Sequence, residues 1–247
     1  MAGWVWPELL AHRCGGALAP ENTLAGLEIA ARLGCRAVEF DVMLSADGQP
    51  FLIHDETLDR TAGRGGRVAE LSAAELSAVD VGRCFHPAFA GETIPTFAAA
   101  LESCRRLGLA ANVEIKPAAG HDRQTGQVVG RMLSAAGVAG QQVLLSSFSV
   151  DALVAAIEEA PDLPRALLAE RHTRAALDTV RQLSCVALNL SRHWVTEADV
   201  TAVCDAGFAV MIYTVNSRAE ARRLLDWGVS SVFSDRPDRL SAPVTES

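Results

Sequence analysis

Residues 37–54 read AVEFDVMLSADGQPFLIH. An apolar run carrying two acids, Glu39 and Asp41, is followed after six residues by a second apolar stretch at 51–54. The first run is rich in β-branched and aromatic side chains and reads as a strand. Six residues cannot make a parallel crossover, which needs about a dozen or more, and Asp47-Gly48 is a hairpin-turn signal. The segment 51–54 is therefore expected to fold back antiparallel and to lie outside the main sheet.

Outward from this stretch the chain alternates. Strand patterns fall at 9–13, 37–44, 111–116, 143–148, 165–169, 185–190, 209–215 and 230–234. Helical spacing of apolar residues falls between them, at 23–33, 96–107, 123–136, 150–160, 174–183, 197–206 and 218–227. The first helix shows how such boundaries are read: Pro20 bars an earlier start, Asn22 or Thr23 can cap it, and Gly34 ends it. Regular βα alternation implies parallel strands joined by right-handed crossovers. Eight such units in 247 residues is the size of an α/β fold of the (β/α)8 TIM-barrel type. The expectation is one domain, 1–247, with a small insertion after the second barrel strand at about 45–93. That insertion holds the turn-rich run 62–66 and a short helix at 72–77, where Ser72 and Glu75 fit a capping box. A doubly wound open sheet would want a glycine-rich GxGxxG turn after the first strand, and Cys14-Gly15-Gly16 does not supply that spacing.

Composition narrows the function classes. Hydrophobic residues at 49% and charged residues at 21% suit a globular chain with a sizeable core. No run approaches the roughly 20 apolar residues of a membrane span. With 22 basic against 30 acidic residues the net charge is −8, which argues against a nucleic-acid partner while leaving a small anionic substrate open. The six cysteines, at 14, 35, 84, 104, 185 and 204, form no CxxC pair and read as reduced packing residues. Residues 1–13 lack the basic start, apolar core and cleavage site of a secretory signal. A cytoplasmic location is expected, and oligomer formation is left open.

In a barrel of this kind the active site lies at the carboxyl ends of the strands. Glu39 and Asp41 are two residues apart, so both face one way, as do Glu114 and Lys116 on the next barrel strand. Val38, Phe40, Val42, Val113 and Ile115 take the opposite face, towards the helices. Three carboxylates held together repel one another unless a partner compensates. An all-oxygen cluster suits a hard divalent cation, Mg²⁺ or Ca²⁺, better than zinc. His12 and His54 each end an apolar strand and can serve acid–base chemistry. Arg13 and Lys116 supply fixed positive charge for phosphate oxygens. Cation, arginine, lysine and two histidines around one point describe a phosphoryl-transfer site. The remaining histidines, His86, His121, His172 and His193, lie in polar or loop-like stretches and read as non-site residues.

These residues sit in a longer series: His12-Arg13, Pro20-Glu21-Asn22-Thr23, Glu39-Phe40-Asp41, His54-Asp55 with Leu58, Arg60 and Thr61, then 112–117 (NVEIKP), Ser146-Ser147-Phe148, Thr214-Val215-Asn216 and Asp235-Arg236-Pro237. In this order the series resembles the glycerophosphodiester phosphodiesterase family, bacterial cytoplasmic type, over nearly the whole chain. The resemblance implies a metal held by Glu39, Asp41 and Glu114, His12 and His54 as acid and base, and phosphate bound by Arg13 and Lys116. The implied reaction is hydrolysis of small glycerophosphodiesters, such as glycerophosphocholine or glycerophosphoethanolamine, to sn-glycerol 3-phosphate and an alcohol. Phe148 and Tyr213 would border the substrate's carbon chain. Two positions depart from the family pattern: Cys14 stands where glycine is usual, and Tyr213 where tryptophan is common. Cys14 is expected to narrow the pocket, to offer an oxidisable thiol, or simply to be tolerated as a small residue. Three other readings stay open: a lysophospholipase D-like phosphodiesterase, a metal-dependent aldolase-type lyase, and a non-catalytic binder of phosphodiesters.

Overall fold

A computed structural model describes residues 6–138, 140, 142–171 and 174–240. His172, read above as a non-site residue, and the first five of the thirteen residues read for a secretory signal lie outside these. Nine strands form one sheet: β1 (Leu9–Ala11), β2 (Ala37–Leu44), β3 (Pro50–Leu52), β4 (Ala110–Ile115), β5 (Val143–Ser147), β6 (Arg165–Ala169), β7 (Ala187–Ser191), β8 (Ala209–Tyr213) and β9 (Ser231–Ser234). Parallel pairing runs β2-β4-β5-β6-β7-β8-β9 and closes through β1, which pairs with both β9 and β2. The result is a closed eight-stranded barrel. β3 alone stands outside it, antiparallel to β2, with Val42 opposite Leu52 and Leu44 opposite Pro50. Gly48 turns that hairpin at φ +77°, a left-handed conformation that glycine adopts without steric cost.

All of β2 is buried, because it has a face on each side of the barrel wall. Val38, Phe40 and Val42 join Leu27, Phe97 and Leu133 in the core between barrel and helices, where Phe40 meets Phe97 edge to face at 6.2 Å. The inward face below the site is plugged by Trp6, Leu10, Leu144, Met211 and Phe233. The segment after β2 builds its own apolar cluster, with Met43, Phe51, Ile53, Leu58, Leu76 and Val81. The reciprocal Ser72–Glu75 capping box is present on the short helix Ala73–Ser77.

Several strands end a residue or two earlier than periodicity suggests, so His12, Arg13, Lys116 and Phe148 stand just past strand ends. β7 is shifted: Cys185 lies before it and Ser191 extends it. At the end of β1 the chain turns sharply, with Arg13 at φ +49° and Cys14 at φ +73°. That conformation accounts for the glycine expected at position 14, since a side chain there costs about 1 kcal/mol or more. The Cys14 side chain is accommodated because Gly26 faces it; a Cβ on Gly26 would approach Cys14 Cβ to 2.9 Å. Cys14 is fully buried against the helix layer, so it neither narrows the cavity nor exposes a thiol.

Candidate active site

The register decides the site. β2 and β4 pair with Asp41 opposite Glu114 and Glu39 opposite Asn112, and the pleat turns all four inward. One ligand oxygen from each of Glu39, Asp41 and Glu114 lies within 4.8 Å of the others, and all three residues are buried. Glu39 Oε2 accepts the Arg13 backbone N–H at 2.8 Å, while its buried Oε1 has no hydrogen-bond partner. Asp41 is held twice by Asn22, whose Nδ2 donates to Oδ2 at 2.9 Å and whose Oδ1 accepts the Asp41 N–H at 3.1 Å. Lys116 Nζ lies 3.3 Å from Glu114 Oε1 and 3.9 Å from Asp41 Oδ1.

Burial, followed by the charges of Asp41 and Glu114, pushes the Glu39 carboxyl well above the usual carboxylate range. Burial and Asp41 raise Glu114 to about 7, with Lys116 opposing. Two carboxyls driven towards protonation, beside an orphaned buried oxygen, form a donor set that fits a divalent oxygen-seeking cation. Arg13 keeps its charge firmly: burial works against it, but Asp41, Glu21 and Glu39 more than offset that.

Each imidazole is backed by a carboxylate. His12 Nδ1 and Asp235 Oδ1 are 2.6 Å apart, which leaves His12 Nε2 towards the acidic cluster, 3.8 Å from Glu39 Oε2. Burial alone would raise the Asp235 pKa; His12, Asn216 and the charge of Arg13 together more than offset it and hold the group below its ordinary value. Asn216 fixes Asp235 from the other side, donating to Oδ2 at 3.1 Å and accepting its N–H at 2.8 Å. His54 Nδ1 is likewise 2.6 Å from Asp55 Oδ1. Burial lowers the His54 pKa against the pull of Asp41, so the neutral imidazole is favoured. A charged chain continues from Asp55 to Arg60 Nε at 2.7 Å, from Arg60 to Glu21 at 2.6 and 2.8 Å, and from Glu21 to Arg13 Nη1 at 3.0 Å.

One cavity of about 280 Å³ is lined by all nine residues picked out from the sequence: His12, Arg13, Glu39, Asp41, His54, Glu114, Lys116, Phe148 and Tyr213. Phe148 and Tyr213 meet edge to face at 6.0 Å, and the tyrosine hydroxyl donates to the Ala169 carbonyl at 3.0 Å. The residues that orient these groups were present in the motifs without a role: Asp55, Asp235, Asn216, Asn22, Glu21 and Arg60. The adjacency His54-Asp55 could have signalled one imidazole–carboxylate pair. Nothing local signals the other, because 223 positions separate His12 from Asp235.

The sequence pattern of the glycerophosphoryl diester phosphodiesterase family matches residues 12–239. A phosphodiesterase from Oleispira antarctica, solved in complex with the product sn-glycerol-3-phosphate, superposes with a TM-score of 0.91 at 33% identity, over 95% of each chain. A glycerophosphodiester phosphodiesterase from Agrobacterium tumefaciens superposes with a TM-score of 0.77 at 26% identity, over 96% of this chain and 99% of that one. A glycerophosphodiester phosphodiesterase of Bacillus subtilis is 29% identical over 249 residues, covering 93% of this chain and 83% of that protein. These likenesses leave no place for the aldolase-type lyase. Barrel, cavity and sequence pattern agree, and the chain belongs to the glycerophosphoryl diester phosphodiesterase family.

Proposed function

We propose that the protein hydrolyses glycerophosphodiesters to sn-glycerol 3-phosphate and an alcohol. The observation that carries this reading is the gathering of a buried three-carboxylate cluster, Arg13, Lys116 and two carboxylate-backed imidazoles around one cavity. The product complex of the Oleispira relative supports the same substrate class.

Glu39, Asp41 and Glu114 would hold Mg²⁺ or Ca²⁺, and such a cation supplies positive charge against oxygens that become more anionic as the ester is cleaved. Arg13 and Lys116 would grip the phosphoryl oxygens. His54, kept neutral by burial, would take the proton from the attacking oxygen. His12, held in orientation by Asp235, would give a proton to the departing alcohol oxygen. One P–O bond forms, the P–O bond to the alcohol breaks, and its electron pair ends on the protonated alcohol. In the route we favour the substrate's own glycerol 2-hydroxyl attacks first and water then opens the cyclic phosphate, so that one water is consumed overall. Phe148 and Tyr213 would flank the glycerol carbons. The six cysteines are free thiols, in keeping with a reducing cytoplasm.

The test is a panel of glycerophosphodiesters assayed for released glycerol 3-phosphate, with Mg²⁺ or Ca²⁺ added back to stripped protein. His12→Ala and His54→Ala are each expected to lose about 10²–10⁴ in rate. Near-wild-type turnover in both would remove the acid–base assignment. A diester methylated at the 2-hydroxyl should resist cleavage; turnover of it would favour direct attack by water.

A further inference from the structure

His12 and Arg13 form a wall between two cavities. On one side lies the acidic cluster, in the space of about 280 Å³ described above. On the other side is a larger space of about 550 Å³, which the site residues Glu39, Asp41, His54 and Glu114 do not reach. Two segments build it: the loop after β1, with Ala17 and Pro20, and the segment after β3, with Arg60, Val81 and Phe85. Phe85 closes it with a ring that is 44% exposed and braced edge to face against Phe89 at 5.5 Å. Arg60 at its edge is paired with Glu21 and Asp55, and Asp235 with His12 and Asn216, while Ala17, Pro20, Val81 and Phe85 give the cavity an apolar side. Burying that side against another apolar group is favourable, and an exposed aromatic face takes a second ring well.

We propose that this outer cavity is the subsite for the departing alcohol, and that it selects alcohols larger than choline or ethanolamine that carry an apolar or aromatic arm. The inference rests on the phosphodiesterase reading and deepens it. A diester has two arms on one phosphorus. With the phosphoryl group at Arg13, the glycerol arm lies in the inner cavity beside Phe148 and Tyr213. The second arm then passes His12, the group placed to protonate its oxygen, and enters the outer cavity. A volume of about 550 Å³ falls in the range of roughly 300–1,000 Å³ typical of sites for drug-sized ligands, far more than a two-carbon amine requires.

The experiment compares two unactivated esters of glycerol 3-phosphate, one of ethanolamine and one of 2-phenylethanol, on the metal-loaded protein. Phe85→Ala removes the aromatic wall. Ala17→Trp, at an exposed position, fills the space without disturbing the core. The phenylethyl ester is expected to be the better substrate of wild type. Each variant is expected to lower its kcat/KM, mainly through KM, roughly three- to tenfold more than that of the ethanolamine ester. An unchanged ratio of the two specificity constants in both variants overturns the subsite while leaving the phosphodiesterase reading in place. Wild-type protein that turns over neither ester overturns that reading, and the subsite with it.

Discussion

Asp235 Oδ1 lies 2.6 Å from His12 Nδ1, and the bond ties the turn after the first barrel strand to the turn after the last. A carboxylate at Nδ1 fixes the tautomer and ring orientation of an imidazole. Asp235→Asn keeps the shape and removes the charge. Its kcat for glycerophosphodiester cleavage is expected to fall about 10–100-fold, with the melting temperature little changed. Steady-state kinetics that kept more than half of wild-type kcat would deny His12 its dependence on Asp235.

Cation binding should be visible without any assay of turnover. Glu39 and Glu114 have pKa values raised in the folded, metal-free protein, Glu114 to about 7. The sign follows from linkage: protonated, Glu114 contributes stability that is complete below the unfolded carboxylate value of about 4.3 and is lost as pH rises through about 7, and Glu39 acts in the same direction. A cation takes over from the protons only above that window. Mg²⁺ or Ca²⁺ at about 100 times its dissociation constant should raise the melting temperature at pH 8 by roughly 5–10 °C, and by much less at pH 5.5. Equal shifts at the two pH values, or none, would count against Glu39, Asp41 and Glu114 as the cation site.

Arg60 separates positioning from stability. Its side chain is 49% exposed, so its pairs with Glu21 and Asp55 are worth little to folding, about 0–1 kcal/mol. They do hold Asp55 against His54 and Glu21 against Arg13. Arg60→Met is expected to cost about tenfold or more in kcat/KM while shifting the melting temperature by only a few degrees, and Arg60→Lys to restore part of the activity. A melting point lowered as much as activity, with no rescue by lysine, would make the role structural.

Asn22 is the latch on Asp41. It is buried, sits at φ +56° and exchanges two hydrogen bonds with that residue. Asn22→Leu removes both partners and places a branched side chain in a left-handed conformation. The expected loss is about 2–4 kcal/mol in chemical denaturation, together with weaker cation binding as Asp41 loses its fixed orientation. Wild-type stability and cation affinity in this variant would leave Asn22 without the assigned role.

Much of the architecture was legible because its determinants are short-range. The period of apolar residues separates strands from helices, and the six-residue gap after Leu44 leaves β3 no geometry but antiparallel. The spacing of Glu39 with Asp41 and of Glu114 with Lys116 placed each pair on one face, since alternation along a strand is a property of the backbone. Strand ends were less legible: hydrogen bonding, not apolar pattern, ends β1 at Ala11 and puts Arg13 and Cys14 in a left-handed turn.

Local chemistry written in the chain determined the barrel class, the inward carboxylates, the histidines at strand ends and the family likeness. Closure of the barrel decided the rest. It set the register that puts Asp41 beside Glu114, brought Asp235 to His12, and strung Asp55, Arg60, Glu21 and Arg13 into one charged chain. It also opened the outer cavity between two segments that are remote in sequence. The physical reason is that pKa shifts, ion-pair chains and cavities arise from distances and burial among residues far apart along the chain, and neither quantity exists until the first and last strands have met.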